Sequence, residues 1–325
     1  MKTRIRTLGR AAFAALALSL SSAASAQANY PDHPIRLIIP FPPGGSNDIV
    51  GRLIADQLSK RLGQQVVVDN RGGAGGTIGT EMAATAIPDG YTLLFISSAF
   101  ASNPSMYKLS YSQEKAFAPV GMIAAGPNVL AVAPTLPVKN VAELIALAKA
   151  KPGTLYYASA GIGSFQHLGG ALFASMAGIN IVHVPFKGGG PAMVDVMAGN
   201  TQMTFSSLVQ TLSLMRSGKL KALGVGGSRR SPTAPEVPTI AEAGLPGYEA
   251  LNWWGIVSAT GTPAPVVTRL HNELQTIVQS PELKKRFESE AVEGIQISAA
   301  AFKDYIDKDT AKWAKVIREV GIKAE

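Results

Sequence analysis

The sequence predicts an α/β protein of two domains, each a mostly parallel sheet flanked by helices, with a cleft between them. Three observations carry this expectation. Apolar β-rich runs alternate with amphipathic helical stretches, an order that gives parallel strands with helices on both faces. Glycine-rich turns sit where predicted strands hand over to predicted helices. The final third has one long strand followed only by helices, too little for a sheet of its own.

The elements follow in order. Ile35–Pro40 reads as a strand and Asp48–Leu62 as a helix ending at Gly63. Gln65–Asp69 is a second strand, Thr77–Ala86 a helix closed by Pro88-Asp89-Gly90, and Tyr91–Ser97 a third strand. The order restarts after a proline-rich stretch, with a strand at Val129–Ala133 and a helix at Val141–Ala150 behind Asn140. Further strands are expected at Leu155–Ser159, Ile181–Val184, Gln202–Phe205 and Ala222–Val225. Helices at Phe165–Met176, Pro191–Ala198 and Leu208–Ser217 fall between them. Ser231–Tyr248 is a connection rich in proline, glycine and alanine. A strand at Glu249–Ala259 and helices at Pro265–Val278, Pro281–Glu290 and Ala299–Val320 complete the chain. These last elements are expected to return to the first domain. Residues 27–128 and 251–325 then form a discontinuous domain and 129–250 an inserted one. Two chain crossings between domains make a hinge that permits closure over a ligand.

The first 26 residues read as a secretory signal peptide: cations Lys2, Arg4, Arg6 and Arg10, an apolar Ala11–Leu20, and a small-x-small site at Ala24-Ser25-Ala26. The apolar core is shorter than the roughly 20 residues a membrane span requires. No adjacent arginine pair precedes it, which favours a Sec-type route. Cleavage leaves 299 of 325 residues and lowers the formal net charge from +8 to +4, because the leader holds four cations and no acid. Cysteine is absent, which excludes a cysteine-linked lipid anchor and disulfides and fits a Gram-negative periplasm. The one basic run, Lys284-Lys285-Arg286, is flanked by Glu282, Glu288 and Glu290 and reads as a solvated helix face. No nucleic-acid partner is expected.

The chemistry is concentrated in four glycine-rich junctions: Pro42-Pro43-Gly44-Gly45-Ser46, Gly72–Thr77, Gly161–Ser164 and Lys187–Gly190. A strand-to-helix turn brings unpaired backbone N–H groups and the positive end of the helix dipole to one spot, which suits an anion. Ordinary turn chemistry explains any one such loop. Four at the same topological position favour binding, because ligands of open parallel sheets sit beyond the carboxyl ends of the strands. Neither a dinucleotide fingerprint nor a P-loop occurs. Ser46, Ser159 and Ser164 can donate hydroxyl hydrogen bonds or cap helices. Asp48 would repel a bare carboxylate but can hold a bridging water.

The four histidines, His33, His167, His183 and His271, lack metal-pair spacing, so no metal or other cofactor is expected. His183 in an apolar strand reads as a core residue, and His167 as a packing or cleft residue. Trp253 and Trp254 point to opposite faces of their strand, one into the core and the other toward cleft or hinge. Ser164, His183 and Asp195 are the conceivable hydrolase triad, but no G-x-S-x-G elbow surrounds any serine.

Jointly, several segments resemble a known family. They are Tyr30–Arg36, the P-F-P-P-G-G-S-N-D run, V-V-V-D-N-R-G-G-A-G-G, P-D-G-Y-T-L-L, Y-A-S-A-G-I-G-S, I-V-H-V-P-F-K-G, V-P-T-I-A-E-A-G-L-P-G-Y-E and W-A-K-V-I. The chain resembles the periplasmic solute-binding proteins of tripartite tricarboxylate transporters, called Bug proteins in some bacteria. The resemblance implies a non-catalytic "Venus flytrap" of the periplasmic-binding-protein fold, a monomer that captures an organic carboxylate for membrane permease subunits. It implies a ligand site of Pro42, Gly44, Gly45, Ser46 and Asp48 in one domain and Ser159, Ala160, Gly161, Gly163 and Ser164 in the other. Lys187 and Gly188 are weaker transfers. Two departures stand out: Ile162 where the family often has Asn, and Ser206 where it often has Asp. Losing that acid leaves room for a plain or aromatic carboxylate in place of an amino-bearing ligand. A ligand-presenting subunit for a sensor kinase and a periplasmic serine hydrolase are the alternative functions.

Overall fold

The computed structural model describes residues 30–322, and the signal-peptide residues lie outside it. The strands are β1 (Ile35–Ile39), β2 (Val66–Asn70), β3 (Thr92–Ser97), β4 (Phe117–Val132), β5 (Tyr156–Ser159), β6 (Val182–Pro185), β7 (Met203–Ser207), β8 (Lys221–Val225), β9 (Leu251–Ala259) and β10 (Glu293–Gly294). The helices are α1 (Ser46–Leu62), α2 (Thr77–Ala84), α3 (Ser98–Met106), α4 (Gln113–Ala116), α5 (Val141–Ala150) and α6 (Phe165–Ala177). They continue with α7 (Gly189–Ala198), α8 (Leu208–Arg216), α9 (Ala264–Gln279), α10 (Pro281–Ser289) and α11 (Ala299–Val320).

Two lobes share one continuous sheet in the order β2-β1-β3-β9-β4-β7-β5-β6, with β8 and β10 also paired to β4. β1 runs parallel to β2 and β3, and β5 parallel to β6 and β7. β9 and β4 run antiparallel to their neighbours. The sheets are therefore mixed where the sequence suggested mostly parallel ones. The physical reason is that β4 and β9 carry the chain between lobes, and a crossing strand need not follow the βαβ rule that keeps the rest parallel.

β4 is also longer than expected. Its first part, Phe117–Pro127, pairs with β9, and Asn128–Val132 pairs with β7. The expectation located only its last residues, because Pro119 and Pro127 mask the strand pattern. The prolines are tolerated where pairing is irregular: the β4–β9 register slips between Pro119 and Gly121. At the crossing, Asn128 N–H donates to Ala250 O, Ala250 N–H to Gly226 O, and Gly226 N–H to Asn128 O.

Strand alternation supplies two cores to each lobe. Ile35, Leu37, Ile39, Phe95 and Trp254 face one cluster with α1, α9 and α10. Ile38, Leu94, Ile96 and Trp253 face the other with α3 and α11. In the second lobe Leu130 and Val132 face one cluster and Val129 and Ala131 the other. This is the signature of sheets covered on both faces. Helix α1 buries Val50, Ile54, Leu58 and Leu62, and stops at left-handed Gly63, whose N–H bonds Ser59 O. Helix α5 starts as its Asn140 suggests: Asn140 Oδ1 accepts from Glu143 N at 2.8 Å.

Packing is tight where β9 meets α11. A side-chain carbon at Gly255 would collide with the Phe302 ring and lie 2.9 Å from Gly121 O. Gly255→Ala is therefore expected to cost about 1–3 kcal/mol through overpacking, read as a lower urea midpoint.

Candidate functional site

Four strands of the two lobes end on the same side, and four helices begin there. β1 leads through Phe41–Gly45 into α1, β3 directly into α3, β5 through Ala160–Ser164 into α6, and β6 through Phe186–Gly188 into α7. First residues of all four helices enclose one cavity: Gly45, Ser46 and Asn47 from α1, Ser97 and Ala99 from α3, Phe165 and Gln166 from α6, and Gly189 from α7. Phe41, Ala160 and Asn252 complete the wall. First-turn amides have no intrahelical acceptor, so four positive helix ends meet in one place. No charged side chain lines this cavity among the described residues.

The side-chain donors are oriented from behind. Trp254 Nε1 donates to Asn47 Oδ1 at 2.8 Å. An indole N–H only donates, so the Asn47 oxygen must face it and the NH₂ points elsewhere. Asn252 Oδ1 accepts from Trp253 N at 3.1 Å and from Ser98 Oγ at 2.7 Å, which fixes that amide the same way. Both tryptophans are fully buried; Trp254 stands one residue behind the cavity, and Trp253 anchors to Asp309.

The residues expected from the sequence divide into three sets. Gly45, Ser46 and Ala160 line the cavity. Pro42 and Gly188 meet at its edge, where a Cβ on Gly188 would lie 3.0 Å from Pro42 Cγ. The rest build the loops. Asp48 Oδ2 accepts from Gly44 N at 3.0 Å, while its Oδ1 accepts from Arg52 Nε at 2.9 Å and Asn70 Nδ2 at 3.0 Å. Burial raises its pKa, but these donors outweigh it and hold the carboxyl below its ordinary range. The oxygens of Asp48 thus fasten the first loop.

In the second loop Ser164 Oγ caps α6 by accepting from His167 N. Ser159 Oγ lies 2.6 Å from His183 Nε2 and accepts from Gly161 N at 3.0 Å. Gly163 N–H donates to His167 Nδ1 at 3.1 Å, which keeps that nitrogen unprotonated. Lys187 is exposed and Ser206 buried; Ser206 Oγ donates to Gln210 Oε1, and Gln210 packs behind Gly189. The Gly72–Thr77 loop meets the carbonyl of Ile162 and does not line the cavity.

The conceivable hydrolase triad is not assembled. Ser164 is the α6 cap, His183 bonds Ser159, and Asp195 accepts from Asn200 and Thr201. Sequence reasoning missed Asn47, Ser97, Gln166, Gly189 and Asn252 as wall residues. Gly189 lay inside a quoted glycine run, and a polar Asn252 within an apolar strand was an available signal. A larger groove of about 740 Å³ lies between α3 and α11, but it is lined by the flanks of those helices and not by their N-termini.

The chain is similar to known proteins along most of its length. Residues 50–322 match the family described as the tripartite tricarboxylate transporter family receptor. The chain belongs to this family. It is a periplasmic solute-binding protein and not an enzyme. It is 37% identical over 297 residues to Protein BugT of Bordetella pertussis, covering 90% of this chain and 91% of that one. The structure of R. palustris Rpa4515 with adipate superposes with a TM-score of 0.89 at 33% identity, over 91% of this receptor and 100% of that chain. MatC of Rhodopseudomonas palustris with bound malate gives 0.83 at 29% identity, over 89% and 100%.

The imidazoles of the receptor's His167 and His183 stack at 3.9 Å behind the second loop. Burial pushes His167 down to about 4. Burial, with His167 adding, pushes His183 down to about 3. Each unfolded imidazole titrates near the ordinary 6.5. Between that value and the folded values the unfolded chain binds more protons, so stability is complete above pH 6.5 and falls as pH drops toward 4. Thermal melts are expected to show this fall in the wild type and a shallower one in His183→Phe; equal slopes would contradict the assignment.

Proposed function

We propose that this receptor captures a small organic carboxylate, a di- or tricarboxylate or an aromatic acid, in the seam between its lobes and delivers it as a monomer to membrane permease subunits. The observation that carries the reading is the convergence of four helix N-termini on a cavity without a charged side chain. Such a wall offers an anion many N–H donors and no acid to receive an ammonium group. Adipate and malate in the two related structures point to dicarboxylates as the first ligands to try.

The domains we assign are 27–128 with 251–325, and 129–250. The ligand contacts we assign are the loops holding Pro42, Gly44, Gly45, Ser46 and Asp48 on one side. On the other they are the loops holding Ser159, Ala160, Gly161, Gly163, Ser164, Lys187 and Gly188, together with Ser206 of β7. Within them Ser46, Gly45 and Ala160 touch the ligand, and the others shape the loops around it. The cavity measures about 20 Å³, room for a group the size of one water. Entry of a whole dicarboxylate therefore requires the lobes to part at the β4 and β9 crossings and to close again.

Isothermal titration with adipate, malate, citrate, benzoate and glutamate tests the proposal. Saturable binding of at least one plain carboxylate, with glutamate inert, is the expected result; response to glutamate alone would overturn it. Asn47→Asp keeps the acceptor for Trp254 but replaces a donor by a negative charge. It is expected to weaken carboxylate binding about 10- to 100-fold, the usual worth of a hydrogen bond to a charged group, with little change in melting temperature.

A further inference from the structure

A single helix of the first lobe grips the second-lobe loop beside the cavity. Tyr107, the residue that ends α3, donates its hydroxyl to Ile162 O at 2.8 Å. Ser102, one turn earlier, donates to Gly163 O at 3.1 Å and shares that proton with Ala99 O. Two consecutive carbonyls of the Gly161–Ser164 loop are thus held by two side chains of the other lobe.

The fit around them is close. A Cβ at Gly163 would lie 3.1 Å from the Tyr107 ring, and one at Gly75 would lie 2.9 Å from that ring and 2.7 Å from Ile162 O. Both glycines also have positive φ, 73° and 61°, which other residues rarely adopt. The contact is apolar as well as polar. The Ile162 side chain packs against the first-lobe cluster, and Leu168 of α6 is buried within it. Neither Tyr107 nor Ser102 lines the cavity.

We propose that Tyr107 and Ser102 are positioning residues that latch the lobes shut, holding the Gly161–Ser164 loop over the ligand without touching it. The proposal rests on the carboxylate-receptor reading for its binding readout only. A latch of this kind adds the same stabilisation to the closed form whatever the ligand. It therefore raises affinity for every ligand by one factor, through the closed population it sustains. The aliphatic side chain of Ile162 adds to the apolar contact and leaves its backbone carbonyl to the phenol.

The test compares the mature wild type with Tyr107→Phe and with Tyr107→Phe/Ser102→Ala. Small-angle scattering without ligand measures the radius of gyration, and calorimetry measures adipate and malate affinity. The expected results are a larger radius in both variants, largest in the double one, and a Kd weakened about 3- to 10-fold by the same factor for both probes. An unchanged radius and unchanged Kd in the double variant would overturn the latch. A lowered melting temperature with radius and Kd as in the wild type would reduce the two residues to a structural role and overturn it too. A loss confined to one probe would mean direct ligand contact and also contradict it. Should the wild type bind neither probe, nor citrate or benzoate, the carboxylate reading fails, and the scattering of the unliganded variants still decides the latch.

Discussion

The structure turns on a requirement of helix chemistry: first-turn amides have no partner inside their own helix and must find one outside. Four sets of them, at the starts of α1, α3, α6 and α7, are turned into one seam between two lobes. Water can satisfy such groups on a surface. In an enclosed seam an anion does it better, because the dipoles behind the amides add to the hydrogen bonds. The described lining of the seam holds no counter-charge of its own, so on the proposed reading a guest's negative charge is balanced by oriented neutral groups.

The remaining scaffold keeps those groups aimed. β4 and β9 tie the lobes into one sheet, so the strand ends of both sides stay in register across the crossing. Asp48 spends both oxygens on Gly44, Arg52 and Asn70 and so shapes the first loop. The second loop rests on a pair of neutral, stacked histidines, with Ser159 and the Gly163 amide bonded to their ring nitrogens. Two adjacent tryptophan residues fix the amides of Asn47 and Asn252 by donating to their oxygens. Asp48, Ser159 and the two histidines are thus engaged in holding the backbone that lines the cavity.

Much of the architecture was legible in the sequence, and the reasons are physical. Helix α5 announces itself through Asn140 and α1 through its buried i, i+4 row and the terminating Gly63. What escaped had weak or contradictory local signals. Helix α3 contains Pro104, lacks a side-chain cap and is buried along most of its length, so it shows no amphipathic period. β4 carries two prolines and register slips. Glycine and serine marked the strand-to-helix turns, because such turns require these residues locally. Asn47, Gln166 and Asn252 did not stand out, because their significance comes from elements brought together only by folding. Ser159 and Asp48 did stand out, but their neighbours in space, His183 and Asn70, lie on other elements that only folding brings to them.

The most direct measurement is a crystal structure of the mature receptor with a dicarboxylate bound. The account predicts one carboxylate in the seam, its oxygens within hydrogen-bond distance of the backbone nitrogens of Ser46 or Asn47 on one lobe and of Gly189 on the other, with no lysine or arginine beside it. A carboxylate held instead by a basic side chain, or seated in the groove between α3 and α11, would contradict it.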